Sequence, residues 1–325
     1  MRELSHCICP SFTAIILPQN FNVKGRHLVL LRERQEIRTL GLTVLCYGVW
    51  GILLFVPTIL PSWLIATLLV PVIAFHSSLQ HECIHGHPFS DSRLNDLLIY
   101  FPVGIFLPYP RFKENHLTHH QHARITDPIE DPESWYVVKT KWEQLGSVTR
   151  LLLRINNTLI GRVFIGPALS VFTLLTSDTK KIFNGDRRIF YVWIIHLLLC
   201  VIFLGALSLY GSFPVFVYLI SAYFGMSLLM IRTFLEHQAH PDRRARSVLI
   251  SDQGVLRYLF LNNNLHAVHH AFPSVAWYRL PSLFRLHQNR FLEMNQGYFY
   301  RSYLDVIRKY AFARKEPVAF PLDPR

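Results

Sequence analysis

The chain has 325 residues, of which 51% are hydrophobic and only 17% are charged, against about 25% charged residues in soluble domains. The formal net charge of +12 alone is typical of nucleic-acid binders. Here, however, Lys and Arg flank long apolar stretches and form no separate soluble basic domain, which argues against nucleic acid as a partner. Composition therefore predicts an integral, multi-pass membrane protein.

Two stretches that lack Lys, Arg, Asp and Glu predict the membrane-spanning helices. They cover residues 39–80 and 189–231, and about 20 apolar residues cross a bilayer core as a helix. Each stretch therefore holds two spans, which we predict at about residues 40–60, 62–80, 189–209 and 214–231. The prediction is an all-α integral membrane fold with four transmembrane helices in two hairpins, a histidine-rich cap and interfacial helices.

The distribution of Lys and Arg predicts the orientation of the chain. All of them lie before residue 40, in residues 93–188, or from residue 232 onward. The positive-inside tendency therefore places both termini and the intervening polar segments on the cytoplasmic face. We divide the chain into a cytoplasmic N-terminal segment (1–39), a membrane domain (40–290) and a basic, aromatic cytoplasmic tail (291–325).

Two further apolar stretches are predicted not to cross the membrane. Leu97 to Pro110 is too short and contains three prolines. Leu159 to Thr176 is long enough, but it carries Gly161, Arg162, Gly166 and Pro167. We interpret both as interfacial or re-entrant segments. This choice also keeps the histidines described next on one side of the membrane.

Histidine clusters beside these apolar stretches are the main functional signal. The first, His81-Glu-Cys-Ile-His85, places two imidazoles four residues apart on one helix face. Two later clusters have the spacing i, i+3, i+4, which we expect to aim three imidazoles at one point. With His237, the candidate metal ligands are His81, His85, His116, His119, His120, His237, His266, His269 and His270.

Nine imidazoles are too many for one ion and suit two ions that share a pocket. Their spacing predicts a transition-metal site without identifying the metal. Two histidines inside the predicted spans, His76 and His196, are expected to be packing residues. We expect three further histidines to be hydrogen-bonding or surface groups: His87, His122 and His240.

The three clusters resemble the histidine boxes of the membrane fatty acid desaturase family, HxxxH, HxxHH and HxxHH, in order, spacing and position relative to the spans. The segment Thr126–Glu133 resembles the acidic continuation of the second box, and Arg232–His237 resembles the segment before the third. Trp277–Pro281 resembles the close of the third box. The similarity covers roughly residues 40–290. Membrane hydroxylases, carotenoid ketolases and alkane monooxygenases share the pattern, so the boxes indicate the site more strongly than the product.

The resemblance implies a non-haem centre of two iron ions held by the nine histidines, with O₂ as co-substrate. An unactivated C–H bond requires an oxidant that side chains alone do not supply. Four carboxylates are candidates to hold the ligand N–H groups, or are ordinary interfacial charges: Glu82, Asp127, Asp131 and Glu236. Electrons are expected from a separate ferredoxin or cytochrome, since no flavin, dinucleotide or iron–sulfur motif is recognisable.

The preferred function is desaturation of a membrane lipid's acyl chain or of a fatty acyl thioester. A hydroxylase or ketolase acting on a lipid or terpenoid at the same metal centre is the alternative, followed by a non-redox zinc protein. Basic residues beside the spans either bind an anionic headgroup or follow the positive-inside tendency: Arg111, Lys113, Arg243, Arg244 and Arg246.

Overall fold

The computed structural model describes residues 36–57, 59–121 and 124–322, so most of the N-terminal segment and His122 lie outside the described residues. The helices of the first half are α1 (Ile37–Phe55), α2 (Ser62–Ile84), α3 (Ser92–Ile99), α4 (Tyr109–Gln121), α5 (Lys139–Gln144), α6 (Ser147–Asn156) and α7 (Leu159–Phe183). The remaining elements are α8 (Arg187–Tyr210), α9 (Val215–Thr233), a 3₁₀ turn (Arg243–Arg246), β1 (Leu249–Ile250), α10 (Val255–Leu259), α11 (His266–Ala271), α12 (Leu280–Leu286), α13 (Gln288–Met294), β2 (Phe299–Tyr300) and α14 (Tyr303–Tyr310).

Four long helices, α1, α2, α8 and α9, occupy the predicted spans. Their shared core contains Trp50, Leu69, Phe203 and Tyr218. Helices α2 and α9 cross closely at Gly225, where a Cβ atom would lie only 2.7 Å from Cγ2 of Ile73. The prediction of an all-helical membrane fold is therefore confirmed at this level.

The predicted count of four spans is not confirmed, because α7 is a fifth helix of sufficient length and apolarity to cross a membrane. Its 25 residues run without a break through Pro167. Gly161 and Arg162, which suggested an interruption, are buried in tertiary contacts. A Cβ at Gly161 would lie 1.9 Å from the carbonyl oxygen of Ile155, and the guanidinium of Arg162 stacks 3.7 Å from the centre of the Trp135 ring.

The apolar segment between α3 and α4 forms no spanning helix, as its length predicted. Its non-helical backbone is buried against the long helices, which satisfy its carbonyl groups. The Tyr218 hydroxyl donates to the Val103 carbonyl at 2.7 Å, and Nε2 of His196 lies 2.6 Å from the Ile105 carbonyl. Irregular backbone at membrane depth is tolerated where protein groups satisfy it in this way.

The polar end of the bundle is covered by a cap built largely from residues beyond α9. Strands β1 and β2 pair in parallel, with Leu249 opposite Phe299. Phe291 is fully buried in a core that includes Val268 and Ala271 of α11, the helix of the third box, and Tyr303 is buried in the core that contains Phe234 at the end of α9. The last described residues therefore complete the cap around the histidines.

Candidate metal centre

The structure brings all nine predicted ligands together in two neighbouring groups. Within each group, one nitrogen of every imidazole lies within 4.8 Å of the corresponding nitrogens of the others. His85 and His237 are half-buried, and the other seven are buried. The first group is His81, His85, His116, His120 and His269, and the second group is His119, His237, His266 and His270.

The distances between facing nitrogens fit bound metal ions. Nε2 of His85 lies 2.9 Å from Nε2 of His116, and Nε2 of His237 lies 2.9 Å from that of His119 and 3.0 Å from that of His266. A metal ion lies about 2.0–2.1 Å from an imidazole nitrogen, so two nitrogens at right angles around it are about 3 Å apart. The donor set and its spacing therefore suit one transition-metal ion in each group.

The expectation that each HxxHH box aims its three imidazoles at one point is wrong. On α4, His116 and His120 join the first group, whereas His119 joins the second. On α11, His266 and His270 stay together in the second group and only His269 joins the first. The reason is helical geometry, because residues four apart nearly superpose in projection whereas adjacent residues differ by about 100°.

Carboxylate side chains next to the two histidine groups hold the nitrogens of two imidazoles that point away from the other histidines. Nδ1 of His119 lies 2.8 Å from Oδ1 of Asp131, and Nδ1 of His116 lies 3.0 Å from Oε1 of Glu133. A hydrogen bond at Nδ1 fixes the ring so that Nε2 faces the metal position. In the part of the chain that the structure describes, Nδ1 of His120 and of His270 has no such partner.

Of the four carboxylates predicted to support ligands, Asp131 makes the closest contact. Oε1 of Glu82 lies 3.6 Å from Nδ1 of His81, and Oε1 of Glu236 lies 3.8 Å from Nδ1 of His266. The fourth, Asp127, instead accepts hydrogen bonds from the backbone N–H groups of the two residues 129 and 130.

Sequence reasoning missed two supporting residues, Glu133 and Asn263. Glu133 ends the acidic segment after the second box, so its position already pointed to the site. Oδ1 of Asn263 lies 2.9 Å from Nδ1 of His266, and its Nδ2 lies 3.4 Å from Nε2 of His81. No sequence signal singled out Asn263 among the three consecutive asparagines that precede the third box.

Electrostatics keeps most of the site in the metal-binding form. Burial, and then the neighbouring imidazoles, lower the pKa values of six ligands well below the usual histidine value: His85, His120, His237, His266, His269 and His270. These six are therefore neutral, which is the form that binds a metal.

The carboxylates beside the second box give His119 a different charge state in the metal-free protein. Burial opposes protonation of His119, but Glu133 and Asp131 together outweigh it and raise its pKa to about 9. Burial likewise opposes ionisation of Glu133, but His116 and His119 outweigh it and lower the Glu133 pKa to about 2. A metal ion bound through this imidazole would therefore displace a proton from it.

Four other described histidines, which were predicted not to bind metal, lie outside the two groups and have partners of their own. Nε2 of His76 lies 3.1 Å from the Tyr47 hydroxyl, and His196 contacts the buried segment between α3 and α4. Nδ1 of His87 lies 2.8 Å from Glu36, and Nδ1 of His240 lies 3.2 Å from the carbonyl of Asp242. Each contact accounts for its histidine without a metal.

Most of the basic residues considered for headgroup binding are engaged within the protein. Arg111 is buried and forms a two-point ion pair with Asp178, and Lys113 pairs with Asp96. Arg246 is buried and donates to the backbone carbonyls of residues 125 and 240. Arg243 and Arg244 are exposed.

Comparison with known proteins identifies similar sequences. A family model described as "Fatty acid desaturase" matches residues 57–302. An "Omega-3 fatty acid desaturase, chloroplastic" of Brassica napus is 22% identical over 232 residues, which are 62% of this chain and 54% of the relative. A "Beta-carotene ketolase" of Paracoccus sp. (strain N81106 / MBIC 01143) is 26% identical over 218 residues, 65% of this chain and 72% of the relative. A "Fatty acid desaturase" of Bacillus subtilis (strain 168) is 24% identical over 217 residues, 62% of this chain and 60% of the relative. The matched region spans about half the length of the plant relatives.

Proposed function

The chain belongs to the fatty acid desaturase family, and from this membership we propose that it is a membrane oxidoreductase that desaturates a fatty acyl chain. The observation that carries the proposal is the pair of buried imidazole groups at the end of an apolar helical bundle. The substrate that fits this location is an acyl lipid or a fatty acyl thioester, because its chain reaches the site from the bilayer without crossing water.

We propose that the nine histidines bind two iron ions, one in each group. The iron pair, when bound, supplies the oxidant that is made from O₂ and that an unactivated C–H bond requires. The chain's own residues hold this pair in place: neutral imidazoles offer the ligand nitrogens, and Asp131, Glu133 and Asn263 orient three of the rings. Electrons come from an external donor, a ferredoxin or a cytochrome.

For the topology, we propose four spans, with α7 lying along the membrane surface on the side of the cap. Contacts at both ends of α7 support this placement. Near its start, the Ile160 N–H donates to the carbonyl of Ala311 at 3.1 Å, and near its end Asp178 pairs with Arg111 on the second-box helix α4. A helix whose two ends both contact the cap does not cross to the opposite face.

The preceding helix α6 supports the same arrangement. It is too short to cross a membrane, yet one of its faces exposes Val148, Leu151 and Ile155. Arg150 and Arg154 lie on the opposite face of the helix, and this amphipathic pattern is typical of helices that lie in the membrane interface. We therefore propose that the cap, both termini and the metal centre face the cytoplasm.

Reporter tags test this topology. Tags within residues 139–143 and at the C-terminus should both report the cytoplasmic face, whereas a tag within residues 60–63 should report the opposite face. If the first two tags reported opposite faces, α7 would be a fifth span and the proposed sidedness of the cap would be wrong.

Product analysis tests the reaction. Cells that express the protein with a competent electron donor should accumulate acyl chains about two mass units lighter, in a manner that depends on O₂. A carotenoid-type ketolase is the second candidate because a "Beta-carotene ketolase" is among the relatives. Oxygenated products without new double bonds would therefore favour the second candidate and refute desaturation.

Histidine substitution links the reaction to the proposed metal centre. The purified protein should contain about two irons, and His85→Ala should lose both activity and iron, because each ligand contributes a direct bond to the ion. His76→Ala is the matched control, since its imidazole is buried nearby but binds a tyrosine hydroxyl. A protein that is active with zinc and without iron would refute the proposal.

A further inference from the structure

We propose that the C-terminal segment of residues 311–320, acting through Lys315, positions His237 in the second histidine group. This inference rests on the proposed function, since it assumes that His237 binds one of the two metal ions. Lys315 is a positioning residue in this proposal, because it contacts the backbone of a ligand and not the metal.

His237 differs from the other eight candidate ligands in the way the fold holds it. The others lie on, or at the end of, helices α2, α4 and α11, whereas His237 follows α9 in a short non-helical segment. Yet its Nε2 contacts both His119 and His266, so it joins the second and third boxes within the second group. Its position must therefore be fixed by contacts from elsewhere in the chain.

The C-terminal segment makes two of these contacts, at His237 and at Ala239, and Tyr136 and Ser247 make others. The ammonium group of Lys315 donates a hydrogen bond to the carbonyl oxygen of His237. Two residues further along, the Ala239 N–H lies 3.3 Å from Oε2 of Glu316 and 2.8 Å from the Tyr136 hydroxyl. On its other side, Nδ1 of His237 lies 3.3 Å from Oγ of Ser247.

The same segment is anchored firmly enough to act as a support. The Lys315 N–H donates to the carbonyl of Asn157 at 2.9 Å, and the Asn157 side chain donates to the carbonyl of Glu316. Val137 then pairs with the segment on both sides: its N–H donates to Val318 at 3.0 Å, and its carbonyl accepts from Phe320 at 2.8 Å. Lys315 is thus held between the junction of α6 and α7 and the non-helical segment that carries His237.

Because Lys315 is buried, an apolar replacement can distinguish a role in positioning His237 from a role in stabilising the fold. Only 9% of its side chain is exposed, and the nearest carboxylate oxygen of Glu316 is 3.8 Å away. Burying an ammonium group without a close ion pair is costly, so replacing it with an apolar side chain of similar length should leave the fold intact. Loss of metal without loss of folding is therefore the signature of positioning.

Iron retention in purified, fully loaded protein tests the proposal. We compare wild type with Lys315→Met and Lys315→Arg, and with the control Lys309→Met, which removes an exposed lysine on α14. The release of each ion to a chelator is timed, and Mössbauer spectra follow the two iron sites. Loss of an outer support costs about 10–100-fold in metal affinity. Lys315→Met should therefore release one of its two ions at least 10-fold faster, with its unfolding midpoint unchanged.

Lys315→Arg should restore most of the retention, and Lys309→Met should match wild type. If wild type binds two irons and Lys315→Met releases both at the wild-type rate, the positioning role is refuted while the proposed function stands. Equal loss of both ions together with a lower unfolding midpoint would also refute it, in favour of general stabilisation. If wild type binds no iron, the proposed function itself fails. Should Lys315→Met not fold, Glu316→Ala is measured in its place, with the same expected result.

Discussion

The buried ion pair between Arg111 and Asp178 joins the second-box helix α4 to the far half of α7, and its removal should destabilise the protein. Nε and Nη2 of Arg111 lie 2.7 and 2.8 Å from the two carboxylate oxygens of Asp178. The indole N–H of Trp193 donates to the same carboxylate at 2.9 Å. Both ion-pair partners are about 1% exposed, so Asp178→Asn leaves the guanidinium buried without its main counter-charge.

The expected size of the effect follows from burial. Removing one partner of a buried ion pair costs about 3–5 kcal/mol. Glu114, which also contacts Arg111, remains as a partial counter-charge, so the lower end of that range is expected. The control is Glu130→Gln, whose pair with Arg124 has side chains that are 38% and 39% exposed. An exposed pair contributes about 0–1 kcal/mol.

Unfolding in mixed detergent micelles, followed by tryptophan fluorescence, measures both variants. A difference of about 2 kcal/mol corresponds to a roughly 30-fold change in the unfolding equilibrium. The double variant Arg111→Met/Asp178→Leu should recover much of the loss, because apolar side chains tolerate this burial. If Asp178→Asn destabilises the protein no more than Glu130→Gln does, the described contact between α4 and α7 is wrong, and with it the support for α7 lying along the membrane surface.

Two further substitutions test the packing of the bundle and the charge of the site. Gly225→Ala should lower the free energy of unfolding by about 1–3 kcal/mol, because its Cβ would overlap Ile73. The control Gly205→Ala should not lower it, because no atom lies within 4 Å of the added Cβ. Equal effects of the two substitutions would contradict the close crossing of α2 and α9. In the metal-free protein, Glu133 has a pKa of about 2 instead of 4.5, so its ionised form stabilises the fold above about pH 4.5 and this stabilisation is lost as the pH falls towards 2. Glu133→Gln should therefore flatten the dependence of the unfolding midpoint on pH in this window, and an unchanged profile would contradict the assigned charge.

The membrane helices were predictable where lipid is their environment, and less so where protein is. Charge-free runs located four of the long helices, because a charged side chain facing lipid is costly. Helix α2 nevertheless continues beyond Gln80 to Ile84, since His81 and Glu82 are buried by other parts of the protein. Arg162 stacks on the half-buried ring of Trp135, and sequence alone gives no sign of this contact.

The ligands of the candidate site were predictable as residue types, but their grouping was not. Box spacing identified the eight histidines of the three boxes, and the position of His237 shortly after a long apolar run made it the ninth candidate. We expected the three imidazoles of each HxxHH box to point at the same position. This failed because His119 and His120, for example, are adjacent on α4 and so point about 100° apart. The contact of Asn263 with His266 and His81 arises only when distant parts of the chain meet.

The interleaving of the boxes means that the two histidine groups cannot form independently. Helices α4 and α11 each contribute ligands to both groups, so a shift of either helix changes both groups and the distance between them. Contacts outside the groups must therefore hold these elements in register. The Arg111–Asp178 pair restrains α4 five residues before His116, and the Lys315 hydrogen bond restrains the backbone of His237. The relative position of the two groups thus depends on residues that touch neither metal position, and substitutions at such residues are expected to alter metal retention without removing a ligand.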